Sequence, residues 1–168
     1  MTRRKPNWRL TRLLLASLSL AWTLTGTLTS AWSAEPRAVA VVVSPKNPTS
    51  SLTMGELRKI FSGEKRTWPD GSRIKLFARA PGTLERTALL KLLGKSESEY
   101  KQYWTGKVYQ GEAEAEPMTL PSNGMQREAL TAYGGAIALV DSADVKPGMK
   151  ALKIDGKLPE DPNYPLRY

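Results

Sequence analysis

The sequence predicts an α/β domain with a mostly parallel sheet flanked by helices. Ala38 to Val43 and Ala136 to Val140 are runs of small and β-branched or aliphatic residues without a polar break. Such runs suit strands covered on both faces. Between them lie segments of helical periodicity, each opened by a hydroxyl residue and most closed by glycine. Strands alternating with helices in this order argue for parallel crossover units rather than hairpins.

The elements follow in turn. Ala38 to Val43 forms the first strand, and Ser44-Pro45-Lys46-Asn47-Pro48 ends it, since two prolines stop both strand and helix. Thr53-Met54-Gly55-Glu56 reads as a capping box, opening a helix that turns Leu57, Ile60 and Phe61 inward and stops at Gly63. Thr67 to Gly71 is a turn, with Trp68 packed over the core edge. Arg73 to Arg79 alternates as a strand and delivers Arg79 to its carboxyl end. Leu84 to Leu93 is a helix with Leu84, Ala88, Leu89 and Leu92 inward, closed by Gly94. Ser96 caps the next helix, where Tyr100, Tyr103 and Trp104 form a core stripe. Gly106 to Pro117 is expected as a loop with Glu112, Glu114 and Glu116 at a solvated tip. Met118 to Leu120 is a short strand, Met125 to Ala132 a helix, and Gly134-Gly135 a break before the Ala136 to Val140 strand. Met149 to Ile154 closes the domain, and a proline-rich tail follows.

Residues 1–33 read as an export signal. Arg3, Arg4, Lys5, Arg9 and Arg12 precede an apolar run, and Ala31-Trp32-Ser33 offers small residues for cleavage before Ala34. Thr2-Arg3-Arg4 hints at a twin-arginine signal, but Pro6 and Asn7 stand where that signal wants an apolar pair. An uncleaved anchor is the alternative, weakened by the many Ser and Thr residues in the run. The whole chain has 25 basic and 16 acidic residues, a net +9. Five of the basic residues and none of the acidic ones lie in the leader, leaving 20 against 16, or +4, over residues 34–168. That mild excess suits a small anionic ligand and needs no nucleic acid. With neither Cys nor His, no disulfide, no Ser–His or Cys–His pair and no His- or Cys-based metal site can form. No cofactor is expected. An acid/base hydrolase would have only Asp70, Asp141, Asp144 and Glu85 to draw on, at no spacing that suggests a pair.

The stretch Arg79-Ala80-Pro81-Gly82-Thr83-Leu84-Glu85-Arg86 holds the main functional reading. It joins a strand to a helix start. Unpaired N–H groups and the partial positive charge of a helix N-terminus attract oxyanions there. Arg79 and Arg86 add forked donors. Two readings stand for these residues: anion contacts, or a strand-end arginine, a turn glycine (Gly82), a capping threonine (Thr83) and a solvated helix arginine (Arg86). Ser122 and Asn123 make a second helix start, either facing the same cleft or serving as plain caps. Ser44, with Lys46 behind it, is a further candidate. Open α/β sheets bind ligands at the carboxyl ends of their parallel strands, so Ser44, Arg79 and Ser122 are expected to converge on one edge.

Several segments together resemble the periplasmic phosphate-binding proteins of ABC importers. Leu57 to Gly71 resembles their "IF-G-k--tW-dG" segment, and Arg79 to Arg86 their arginine followed by a Gly/Ser/Thr anion loop. Gly134 to Val140 is similar to their "GaIGYv" strand, Met149 to Gly156 to "vkal-idG", and Tyr164-Pro165-Leu166 to "YPL". The resemblance implies a single periplasmic-binding-protein-like lobe over residues 34–168 that binds phosphate or a similar oxyanion in the periplasm without chemistry. An ABC permease, or a second lobe or subunit, is the implied partner. It carries Arg79, Gly82 and Thr83 over as ligand contacts. Full members clamp phosphate between two lobes, and the acid that steadies their arginine is absent here; Glu85 either replaces it or repels an anion. One arginine pair and one helix start hold an anion with about 2–5 kcal/mol, a dissociation constant near millimolar or weaker. A lobe that has lost its ligand and docks a partner protein is the alternative.

Overall fold

A computed structural model describes residues 36–168; the leader reading falls outside them. Seven strands and four helices follow in the order β1 (Val39–Val43), β2 (Ser51–Leu52), α1 (Met54–Phe61), β3 (Lys75–Arg79), α2 (Leu84–Leu93), α3 (Glu97–Tyr109), β4 (Met118–Leu120), α4 (Asn123–Ala132), β5 (Ala136–Asp141), β6 (Lys150–Ala151) and β7 (Lys153–Ile154). The main sheet has the order β4-β3-β5-β1-β6, and β2 pairs with β7 beside it. Three of the five pairings are parallel: β3 with β4, β3 with β5, and β2 with β7. Both pairings of β1 are antiparallel, with Val39 opposite Asp141 and Val43 opposite Ile137.

The apolar run of β1 is explained by its central place. Val39, Val41 and Val43 face the core beneath α1 and α2, while Ala40 and Val42 face a second core with Phe77, Leu120 and Leu130 beneath α4. Ile137 and Leu139 of β5 join the first core, and Ala136, Ala138 and Val140 the second. A strand buried on both sides has no position for a polar residue. Helices α2 and α4 therefore lie on opposite faces of the sheet, and their amino ends follow β3 and β4 directly.

The caps are as the sequence reads. Thr53 and Glu56 form the reciprocal box of α1, and Ser96 and Glu99 that of α3. Each glutamate is held below its ordinary carboxyl range chiefly by the cap residue's backbone N–H. Trp68 is buried and its Nε1 donates to Gly135 O at 3.0 Å. Two expectations need correction. The loop expected from Gly106 starts later, because α3 continues to Tyr109; one glycine costs a capped helix only about 1 kcal/mol, and the preceding Trp104 is anchored in the core. The single strand expected from Met149 to Ile154 is two, since Leu152 N bonds Val41 O and Lys153 N bonds Ser50 O, carrying the chain from one sheet to the other.

Candidate functional site

The carboxyl ends of β3, β4 and β5 share one edge of the sheet. Arg79 stands opposite Leu120 in the register, and Asp141 ends β5. Beyond β3 the chain turns through Pro81 and Gly82, whose φ of 86° belongs to the region glycine tolerates. Thr83 then caps α2: its Oγ1 accepts from Arg86 N at 3.2 Å and donates to Ala80 O at 3.0 Å. Helix geometry leaves the N–H groups of Leu84 and Glu85 without intrahelical acceptors, so this end is electropositive.

Arg79 is held at two points. Its Nη1 donates to Leu120 O at 3.2 Å, and its Nε lies 3.9 Å from Glu85 Oε1. Glu85 is 5% exposed, and its Oε1 also accepts from Asp141 N at 3.3 Å. Thus the acid that steadies the arginine comes from the first turn of the following helix. Nε itself is buried with no hydrogen-bond partner, since 3.9 Å is too long for one. Asp141, 3% exposed, pairs with Arg37 and accepts from Ala143 N at 3.1 Å. Two guanidinium groups and two carboxylates therefore balance at this edge. What remains to attract an anion is the helix start and the unused donors of Arg79.

Sequence reasoning did not bring Arg37 and Asp141 into this group. Asp141 closes an apolar strand, where a buried carboxylate needs a partner, and that was the available signal. Arg37 is 104 residues away and reaches it because the chain's described amino end lies alongside β5.

Other candidates fall elsewhere. Ser122 caps α4 at the same edge, its Oγ accepting from Met125 N at 3.2 Å. The Asn123 amide donates to Asp144 Oδ2, tying α4 to the turn after β5. Ser44 does not converge with them. Because β1 runs antiparallel to β5, its carboxyl end is at the far edge, where Ser44 N donates to Ala136 O and the side chain is buried. Lys46 follows it there. Arg86 is not solvated: it is 6% exposed, its Nε donates to Glu97 Oε2 at 3.0 Å, and its guanidinium lies 4.0 Å over the Tyr100 ring.

The Arg86–Glu97 pair carries a pH prediction. The hydrogen bond from Arg86 holds the Glu97 carboxyl below its ordinary 4.5. The stabilisation is therefore complete above that value and is lost as pH falls through the lower, folded one. Glu97→Gln should cost about 1 kcal/mol at neutral pH, a half-exposed partner being screened. Thermal melts should then show a smaller loss below about pH 4.5 than the parent shows; identical slopes would contradict the assignment.

Over residues 37–164 the chain matches the PBP superfamily domain, and it belongs to that superfamily. No curated protein matches it. Among solved structures, an ABC-type phosphate transport receptor from Vibrio cholerae is 18% identical, with a TM-score of 0.58, over 73% of this chain and 48% of that one. A protein from Clostridium perfringens, assigned as a phosphate ABC transporter substrate-binding protein and solved with bound phosphate, gives 18% and 0.59, over 73% and 47%. PstS from Borrelia burgdorferi gives 17% and 0.58, over 78% and 54%. The chain spans about half the length of these structures, and at such identities the likeness is one of fold.

Proposed function

We propose that this chain binds phosphate or a similar oxyanion, without chemistry, at the α2 start beside Arg79. The observation that supports it most is the join of a partly committed guanidinium, held by Leu120 O and Glu85, to a capped helix N-terminus at the carboxyl edge of parallel strands. Gly82, Thr83 and Ser122 belong to this reading as contacts; Arg86, Asn123 and Ser44 do not. Export to the periplasm through residues 1–33 and a partnership with an ABC permease, second lobe or second subunit complete it. The structures assigned to phosphate transport lend it weight through fold. Glu85 opposes an anion as well as steadying Arg79, so affinity from this side alone stays near ~1 mM or weaker. Isothermal titration of the full chain with phosphate, sulfate and vanadate is the test. Heat saturating in the millimolar range is expected, and its absence there would contradict the reading.

A second reading, an interaction module that has given up its ligand, is favoured by Met125. This side chain is 43% exposed in the first turn of α4, next to the same edge. Self-association on a sizing column, abolished by Met125→Lys, would support this alternative.

A further inference from the structure

One ion pair at the anion edge has no part in the proposed contacts, that of Arg37 with Asp141. Asp141 lies opposite Val39 in the register, so it shares the sheet face beneath α2 with Ile137 and Leu139. Its side chain is 5% exposed, and its backbone N–H is the donor that holds Glu85 Oε1 at 3.3 Å. Arg37 is fixed from behind. It exchanges backbone hydrogen bonds with Tyr168, at 3.0 Å from its N–H and 2.9 Å to its carbonyl, and Ser142 N donates to Ala38 O beside it. An anchored backbone therefore delivers the guanidinium to Asp141, although the arginine side chain is 64% exposed.

The charges at this edge are closely balanced. Arg79 offsets Glu85, and Arg37 offsets Asp141. What is left over is the start of α2, equivalent to about half a positive charge. Without Arg37, a whole negative charge on Asp141 would outweigh that half. Asp141 and Glu85 are joined by a single hydrogen bond, which puts both carboxylates within about 10 Å, a Debye length, of the helix start. The edge would then repel an anion.

We propose that Arg37 sets the sign of the field at the anion edge by neutralising Asp141. It is a positioning residue, acting on the ligand through that carboxylate and not by contact. This role rests on the reading of the α2 start as the anion site.

Amide chemical shifts of the full, isotope-labelled chain titrated with inorganic phosphate give the test. Arg37→Ala should weaken binding about threefold to tenfold, water over the exposed guanidinium keeping the effect small. Arg37→Lys should stay within about twofold of the parent, since it keeps the charge. Asp141→Asn retains an oxygen for Ala143 N and should tighten binding about threefold. In Arg37→Ala with Asp141→Asn neither charge remains, so affinity should return to within about twofold of the parent. A merely structural tie would stay broken in that double variant, and its affinity would stay low. Arg73→Ala controls for net charge. Its side chain is 66% exposed, is paired with Glu114, and lies six residues, about 20 Å at strand rise, from Arg79, so affinity should not change. Loss of fold cannot mimic the tightening expected of Asp141→Asn. Unchanged or weaker binding in that variant, a parental response that Arg37→Ala leaves unaltered, or a double variant as weak as Arg37→Ala would each overturn this role and leave the anion site in place. No phosphate response in the parent would overturn the site and this role with it.

Discussion

Arg79→Ala should remove most of the phosphate response of the chain. An arginine hydrogen-bonded to an anion contributes about 1.5–3 kcal/mol, so the dissociation constant should rise roughly tenfold to a hundredfold or more. From a millimolar start, that places binding beyond calorimetric reach. The variant should also lose stability, because Glu85 keeps its bond from Asp141 N but loses the buried cation beside it. The pair is separated by 3.9 Å rather than hydrogen-bonded, so the loss should be about 1–2 kcal/mol, less than for a tight buried bridge. Arg79→Lys separates the two effects. It restores a charge near Glu85 but not the planar fork, so stability should recover further than affinity. Calorimetry and denaturant melts on the same preparations read both. Phosphate heat unchanged in Arg79→Ala would place the anion elsewhere.

Gly135→Ala should be the most damaging single methyl in the domain. A Cβ there would lie 2.0 Å from Arg73 O and 3.1 Å from Arg73 C, both backbone atoms that cannot rotate away. Gly135 O also accepts from Lys75 N at 2.9 Å and from Trp68 Nε1 at 3.0 Å. Relief of the clash must therefore pull β3 from the start of β5 and loosen the indole together. A cost of about 3 kcal/mol is expected, as for severe overpacking. Gly134→Ala is the internal control: its added methyl meets nothing within 4 Å. Urea midpoints should fall sharply for the first variant and barely for the second. Equal midpoints would contradict the packing described here.

The layering of the fold is legible in residues that carry their own physical reason. Val39 to Val43 leaves no polar side for water, and Thr53-Met54-Gly55-Glu56 names a helix start through its own side chains. The direction of β1 is not legible. A two-sided apolar strand has the same pattern whichever way it runs, so Ser44 was expected at an edge it does not reach. The site was half legible for a similar reason. Thr83 and Arg79 are local to one turn, whereas Asp141 meets Glu85 across 56 residues and Arg37 across 104. Arg86 shows the limit most clearly. One helical turn from the cap it reads as a free cation, and only the arrival of Glu97 and Tyr100 from α3 commits it.

The central claim is that backbone amides at the start of α2 receive an anion beside Arg79. Amide chemical shifts of the full, isotope-labelled chain during a phosphate titration test it most directly. Saturating shifts centred on Gly82, Thr83, Leu84 and Glu85 are the predicted result. No saturating change at those four amides, with phosphate above the millimolar range, would contradict it.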